Sequence, residues 1–328
     1  MPDIIGIGES DMDLFLKVER LPEKGEKVRA RELGKMPGGI IGNFCSQVAR
    51  NGVSCGIVTV LGDDENGKLA LADYKARGID TRGLYIEVGQ TFYCVIFIDN
   101  SGEKYLNAVV TPLISPSVER IDFNYVKEAK YVHMCSMDYG LVKAVADSLE
   151  GTKTKISLDY ESHADLAGYD NWSGILCKIS ILFINEDGLR NLFSDRKDDE
   201  KLETGEIEAV QDEAVGNLLN LGIETVVLTC AEKGGFVYKG NKKYSYEAFP
   251  VTDVVDTTGA GDSFNATFLS CIVQGMHIEK AMECAAASAA LTIMSVGART
   301  GQPDRTEMES FIRDKHKISN EGSAKWTE

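Results

Sequence analysis

The residues best suited to chemistry lie together near the C-terminal end of the chain, in Asp256–Thr257–Thr258–Gly259–Ala260–Gly261–Asp262–Ser263–Phe264. The string follows a short apolar stretch and opens a pattern, Phe264, Phe268, Cys271 and Ile272, whose spacing predicts a helix ending near Gly275. Gly259, Ala260 and Gly261 therefore stand at a helix N-terminus. Three residues without bulky side chains let main-chain N–H groups approach a phosphate closely, and the helix dipole favours negative charge there. Asp262, in the first turn, is placed to take a proton from an attacking hydroxyl. Composition alone leaves a second reading open, in which Asp262 caps the helix and the glycines form a tight turn.

Such a loop needs a rigid frame. A strand is expected over 3–8, then a charged, turn-rich segment 17–36 with room for short strands. From Ile40 the pattern alternates: a helix through Phe44 and Val48 ending near Gly52, a strand 55–61, an acidic loop and a helix 68–77. Phe92 to Asp99 and Glu103 to Val110 flank Asn100–Ser101–Gly102, a hairpin signal. Strands at 131–135, 156–159, 181–185 and 225–229 then alternate with helical stretches such as 207–221, which predicts a mostly parallel sheet covered by helices. Residues 196–206 read as a solvated loop, and those beyond about 314 as a frayed tail.

The chain has 328 residues, 43% hydrophobic and 26% charged, as in ordinary soluble globular proteins. A formal charge of −16, from 35 Lys+Arg against 51 Asp+Glu, repels polyanions, so nucleic acid and anionic membrane surfaces are poor partners. A small anion can still bind where local N–H groups and a divalent cation overcome that field. No export signal is expected from the first residues. The apolar region 284–298 falls short of the roughly 20 residues needed to span a bilayer and reads as a buried helix. The 8 cysteines, never spaced C-x-x-C, read as reduced core thiols of a cytoplasmic protein.

The full string around Asp262 resembles the signature of the PfkB, or ribokinase-like, carbohydrate kinase family. A second block agrees: Pro37–Gly38–Gly39–Ile40–Ile41–Gly42–Asn43–Phe44, continuing to Gly62–Asp63–Asp64–Glu65–Asn66–Gly67, is similar to the family's Gly-Gly-x-x-x-Asn block and Gly-Asp-Asp-x-x-Gly loop. The resemblance covers nearly the whole chain and implies an α/β ribokinase-like fold: a core of 1–8, 37–90 and 113–328 under a β-sheet lid of 9–36 and 91–112, through which the chain would form a homodimer. It implies an enzyme that transfers the γ-phosphoryl group of ATP to a hydroxyl of a sugar-like small molecule. Asp262 would be the base and Gly259 to Gly261 the anion hole. Asp13, Gly38, Gly39 and Asn43 would hold the acceptor; a carboxylate and an amide suit vicinal hydroxyls. Asn185, Thr229, Glu232, Gly234 and Thr258 would meet the nucleotide, with Ala231 where the pattern commonly has glycine.

In this family Mg²⁺ is organised by Asn-x-x-Glu, whereas Asn185–Glu186–Asp187–Gly188 puts glycine at the glutamate. Glu186 or Asp187 would substitute, or the acidic cluster simply starts a helix over 188–193. Main-chain carbonyls near Asp256, Thr258, Ser295 and Gly297 correspond to the place where some relatives hold a monovalent cation such as K⁺. After the strand ending at Asp159, the segment Tyr160–Glu161–Ser162–His163 lacks the arginine frequent in relatives that handle acidic or ketose sugars, which favours a neutral acceptor: ribose, fructose or a nucleoside. A nucleoside kinase is thus the nearest alternative. A non-catalytic sugar-binding regulator is the alternative of another class, with no need of Asp262.

Rival motifs fail on physical grounds. Gly62 to Lys68 spells a P-loop skeleton, but Leu69 replaces the Mg²⁺-binding hydroxyl and Asp63, Asp64 and Glu65 repel phosphate. Gly52–Val53–Ser54–Cys55–Gly56 has the spacing of a nucleophile elbow with helix and strand in the wrong order. Asp11 stands at the third glycine of a dinucleotide fingerprint begun by Gly6 and Gly8. The 4 histidines, at 133, 163, 277 and 316, lack metal-ligand spacing, and His163 suits the surface better than the acceptor.

Overall fold

The computed structural model describes residues 1–100, 103–164, 167–194 and 207–323. Its strands are β1 (Ile4–Ile7), β2 (Asp11–Val18), β3 (Ala30–Gly38), β4 (Cys55–Val58), β5 (Val60–Gly62), β6 (Tyr85–Glu87), β7 (Tyr93–Ile98), β8 (Lys104–Val109), β9 (Tyr131–Cys135), β10 (Lys155–Tyr160), β11 (Ile181–Asn185), β12 (Thr225–Thr229), β13 (Gly235–Lys239) and β14 (Lys242–Tyr246). The helices are α1 (Ile40–Arg50), α2 (Glu65–Ala76), α3 (Phe123–Val126), α4 (Tyr139–Leu149), α5 (Tyr169–Leu176), α6 (Glu186–Leu192), α7 (Ile207–Asn220), α8 (Ala260–Val273), α9 (Ile278–Thr292) and α10 (Arg305–Ser323).

The main sheet has the order β14-β13-β12-β11-β10-β9-β1-β4. From β4 to β12 all neighbours are parallel; β13 and β14 add an antiparallel edge. Buried parallel strands are apolar on both faces, and here successive residues divide between two cores. Ile5, Leu182, Ile184, Val226 and Leu228 face a cluster with Trp172, Leu141 and Val215 from the helices on one side. Ile4, Phe183 and Val227 face the other, with Phe44, Phe268 and Ala285. The result is a helix-covered, mostly parallel sheet.

A second sheet, β3-β2-β7-β8, is built from the segments expected to form the lid. Its β7–β8 hairpin pairs Tyr93 with Val109 and Ile98 with Lys104; Ser101 and Gly102 of the expected turn lie outside the described residues. The strand β2 was not separable in sequence from the charged segment after it. Its polar Asp11 and Asp13 are buried rather than exposed, so its pattern does not read as an ordinary lid strand.

Several boundaries move for identifiable reasons. The apolar run 55–61 divides at Thr59 into β4, in the main sheet, and β5, which pairs with β6. Helix α2 begins at Glu65, before the expected Lys68, because the Asp64 side chain accepts the Gly67 N–H at 2.9 Å and caps it. The same carboxylate accepts the Thr91 hydroxyl at 2.6 Å, which ties up the P-loop-like turn. The expected helix at 284–298 is α9, Ile278–Thr292. The chain past 314 continues as helix α10 to Ser323, anchored upstream by buried Met308 and Ile312 at helical spacing. The expected loop 196–206 lies outside the described residues.

The 8 cysteines are free thiols. His133 is a core residue, stacked on Phe44 at 3.7 Å and bonded through Nδ1 to Ser157 Oγ at 3.0 Å; burial lowers its pKa to about 3 and keeps it neutral. His163 is exposed. Phe183, 1% exposed on central β11, meets Phe268 edge-on at 5.8 Å and His133 at 5.9 Å. Phe183→Ala removes that layer and is expected to cost about 3–5 kcal/mol, read as a lower urea midpoint with an unchanged slope.

Candidate active site

The site is assembled at the C-terminal ends of the parallel strands, where α1, α8 and the small sheet meet. Helix α8 begins as expected. Gly259 is its N-cap in the left-handed region, φ 79°, and no side chain caps it. A Cβ on Gly259 would lie 2.7 Å from Ala298 Cβ, so the turn requires glycine. The first intrahelical bond runs from Ser263 N–H to Gly259 O at 2.9 Å and the Ala260 N–H donates to Thr257 O at 3.3 Å, which leaves the Gly261 and Asp262 amides for a ligand.

Asp262 is held from α1. Asn43 Nδ2 donates to Asp262 Oδ2 at 2.8 Å, and Arg299 Nε donates to Asn43 Oδ1 at 2.9 Å. Arg299 also donates through Nη1 to Asp73 Oδ2 at 2.8 Å and through Nη2 to Gly38 O at 2.5 Å. It is 5% exposed, and a Cβ on Gly42 would lie 2.2 Å from its Nη2. One buried guanidinium thus ties the end of β3, α1 and α2 to the carboxylate of α8. Sequence reasoning did not select Arg299; the signal was a lone cation closing the alanine-rich apolar run 284–298, with no acidic residue next to it.

Asp13, Gly38 and Asn43 come together as expected, and with them an unexpected set of acids. Asp11 and Asp13 flank Gly38, whose missing Cβ would lie 2.2 Å from Asp11 Oδ1 and 2.4 Å from Asp13 Oδ2. The Asp11, Asp13 and Cys94 ligand atoms fall within 4.8 Å of one another. Asp11 Oδ1 is buried with no hydrogen-bond partner, so it is open to a ligand hydroxyl. Gly39, φ 82°, passes so close to the chain that a Cβ would meet Asp11 N at 2.8 Å. Glu9 accepts the Ile40 N–H at 3.4 Å, and Asp159, at the end of β10, accepts Asn265 Nδ2 of α8 at 2.8 Å.

Burial, and after it the crowding of acids, sets the electrostatics. Burial first, then the neighbouring carboxylates, raises Asp11 and Asp159 well above the ordinary range. Burial lifts Asp13 to about 7 against the pull of Arg299. Asp262 is likewise raised to about 7 by burial, with the Asn43 bond opposing and Glu161 and Glu9 adding to the rise. A carboxyl with that pKa is well matched to accepting a proton near neutrality.

The expected nucleotide residues occupy the neighbouring strand ends. Asn185 and Thr229 are paired in register between β11 and β12. Asn185 caps α6, its Oδ1 accepting Gly188 N–H at 2.6 Å, so α6 starts at Glu186 rather than at 188. Gly188 has a packing reason: a Cβ there would lie 2.6 Å from Tyr160 O. Glu186 accepts from Gln211 Nε2 at 3.2 Å and Asp187 pairs with Arg190. Asn185 and Glu186 thus offer the uncharged and anionic oxygens that suit hydrated Mg²⁺. Ala231 takes φ 48°, the left-handed conformation for which glycine is common; Glu232 is exposed, and Gly234 is buried with φ 88°.

Asp256, Thr258 and Gly297 also converge. Asp256 Oδ1 accepts the Thr258 N–H at 2.8 Å and Oδ2 the Gly297 N–H at 2.8 Å. Ser295 lies two residues before Gly297, its N–H bonded to Thr292 O at 3.4 Å. The remaining partner of Asp256 Oδ1 is the ammonium of Lys104, from β8.

Comparison with known proteins places this geometry. The model of the pfkB family carbohydrate kinases matches residues 1–305. An ATP-dependent ribose-1-phosphate kinase of Halopiger xanaduensis is 28% identical over 318 residues, 96% of this chain and 99% of that protein. A ribokinase of Bacillus subtilis is 27% identical, covering 95% of this chain and 100% of its own. The structure of Arabidopsis thaliana ribokinase complexed with ribose and ATP superposes with a TM-score of 0.80 at 26% identity, over 95% of this chain and 99% of that one.

The raised carboxyls make stability depend on pH. Asp13 holds its proton to about 7 in the fold, against an ordinary value of 3.8. The folded state therefore binds more protons than the unfolded one across that window, and the stabilisation is full below it and lost as pH rises through 7. Asp13→Asn removes that titration, so its Tm relative to the parent is expected to increase from about pH 4 to about pH 7 and to level off above it in matched thermal melts.

Proposed function

The chain belongs to the pfkB family of carbohydrate kinases, enzymes that phosphorylate an alcohol group, and on that premise we propose that it moves the γ-phosphoryl group of ATP to a hydroxyl of a neutral sugar, with Asp262 as base. The observation that carries this reading is the Asn43–Asp262 bond, which fixes a carboxylate of neutral pKa between the acids of the small sheet and the uncapped start of α8. ATP as donor is supported by the ribose-1-phosphate kinase and by the ribokinase that binds ribose and ATP.

The acceptor lies against Asp11, Asp13 and the Gly38–Gly39 turn, its hydroxyls donating to carboxylate oxygens. The amides from Gly259 to Gly261 receive the phosphate oxygens, and Thr229, Glu232, Gly234 and Thr258 border the nucleotide. Asp262 removes the acceptor proton as the hydroxyl oxygen attacks phosphorus; the bond to the departing ADP oxygen breaks in line. Mg²⁺, held near Asn185 and Glu186 through its water shell, would neutralise charge on the phosphates. The small sheet, 9–36 with 91–112, covers the acceptor and excludes water that would otherwise take the phosphoryl group.

A neutral acceptor follows from the acids. Glu9, Asp11, Asp13, Asp159 and Glu161 surround the position, and the arginine beside them is committed to Asp73, Asn43 and Gly38. A sugar phosphate brings charge that nothing there offsets, so this chain is proposed to differ in acceptor from the ribose-1-phosphate kinase it resembles. The small sheet exposes Leu106 on β8 at 59%, and Val110 just past β8 is 69% exposed, which supports a homodimer through this sheet. Free thiols support a reducing compartment, the cytoplasm. Among the described residues no helix is long and apolar enough to cross a membrane.

ADP release with ATP and Mg²⁺ is expected with ribose or another neutral sugar and not with ribose 1-phosphate; the reverse preference, or acceptor-dependent release only with nucleosides, refutes the assignment. Asp262→Asn should lower kcat by about 10²–10⁴-fold with ATP affinity by calorimetry unchanged. Leu106→Glu should reduce the mass measured by light scattering from dimer to monomer.

A further inference from the structure

The loop that presents the anion hole hangs on one carboxylate. Asp256 has no exposed side-chain surface, and its two oxygens receive the N–H groups of Thr258 and Gly297, from either side of the α8 N-terminus. Those are the residues where a monovalent cation would be expected. Two features argue that such an ion does not fit. Both Asp256 oxygens already accept main-chain N–H groups, which lowers what either can offer an ion. The positive charge is also already supplied, because the Lys104 ammonium lies on Asp256 Oδ1 and is itself only 14% exposed. A second cation on the same carboxylate would face that ammonium at close range.

We propose that Lys104 is a tethered replacement for the monovalent cation, so that the small sheet completes the anion-hole loop from outside when it lies over the site. The pairing spans 152 residues of sequence and joins β8, the outer strand of the small sheet, to the turn just before Gly259. A carboxylate left buried without its cation would be strongly disfavoured, and the Thr258 and Gly297 amides that it orders would lose their shared acceptor. Asp256 stays ionised in this arrangement: burial opposes ionisation, but the Lys104, Thr258 and Gly297 bonds outweigh it and hold the carboxyl below its ordinary value. Lys104 is accordingly a positioning residue. Its charge acts on the substrate phosphates through the loop and not by contact.

The inference rests on the kinase reading for its turnover arm but not for its binding arm. The parent protein is expected to show the same Tm and the same kcat in KCl, NH₄Cl and tetramethylammonium chloride at equal ionic strength. Lys104→Met should lose at least tenfold in kcat, with saturable recovery by K⁺ or NH₄⁺, and its Tm should rise with those two ions but not with tetramethylammonium. The double variant Lys104→Met with Asp256→Asn should lose the ion response in both measurements, since no buried charge then awaits a partner. Activation of the parent by K⁺ would overturn the proposal, as would a Lys104→Met protein indifferent to all three salts. If no acceptor supports turnover, the kinase reading fails while the ion-specific melting of Lys104→Met still decides the role of Lys104.

Discussion

The site depends on how one buried cation is distributed among too many acids. Arg299 makes bonds to Asp73, Asn43 and the Gly38 carbonyl, and lies over the Tyr74 ring at 5.2 Å. Bidentate and stacked contacts of this kind suit a guanidinium and not an ammonium. Because three structural elements share the one group, the Asn43 amide has a defined orientation: its oxygen faces Arg299 and its nitrogen faces Asp262. The Asp262 carboxylate thus inherits its position from a residue that does not touch it.

Close approach of backbone is the second constraint. Gly38, Gly39, Gly42 and Gly259 each lack the Cβ that would collide with Asp11 and Asp13, the Asp11 amide, Arg299 and Ala298 respectively. These collisions would all occur inside the site. The glycines therefore do more than permit turns; they let carboxylates, a guanidinium and a helix N-terminus occupy a volume that side chains would otherwise fill.

Much of this was legible in residue order. The alternation of strands and helices, the helix opening at Ala260, and the motifs holding Asp13, Asn43 and Asp262 were apparent because each has local periodicity or a signature spacing. Arg299 and Lys104 were not, because their partners lie 256 and 152 residues away and no local pattern encodes such pairs. Strand β2 was hidden for a related reason: its buried aspartates break the rule that inward positions are apolar. Gly188, which read as a departure from the family pattern, has a packing cause in the carbonyl of Tyr160 that only the neighbouring strand reveals.

Two of the connections between the small sheet and the core are short. Strand β1 stops at Ile7 and β2 starts at Asp11, while β3 stops at Gly38 and α1 starts at Ile40. Few dihedral angles are available there to absorb a tilt of the smaller sheet, so the tilt must be taken up beside Asp11, Asp13 and Gly38 themselves. On the proposed reading, recognition of the acceptor and the angle of the smaller sheet become one mechanical coordinate: a molecule that engages the acids also sets the angle at which the plate rests.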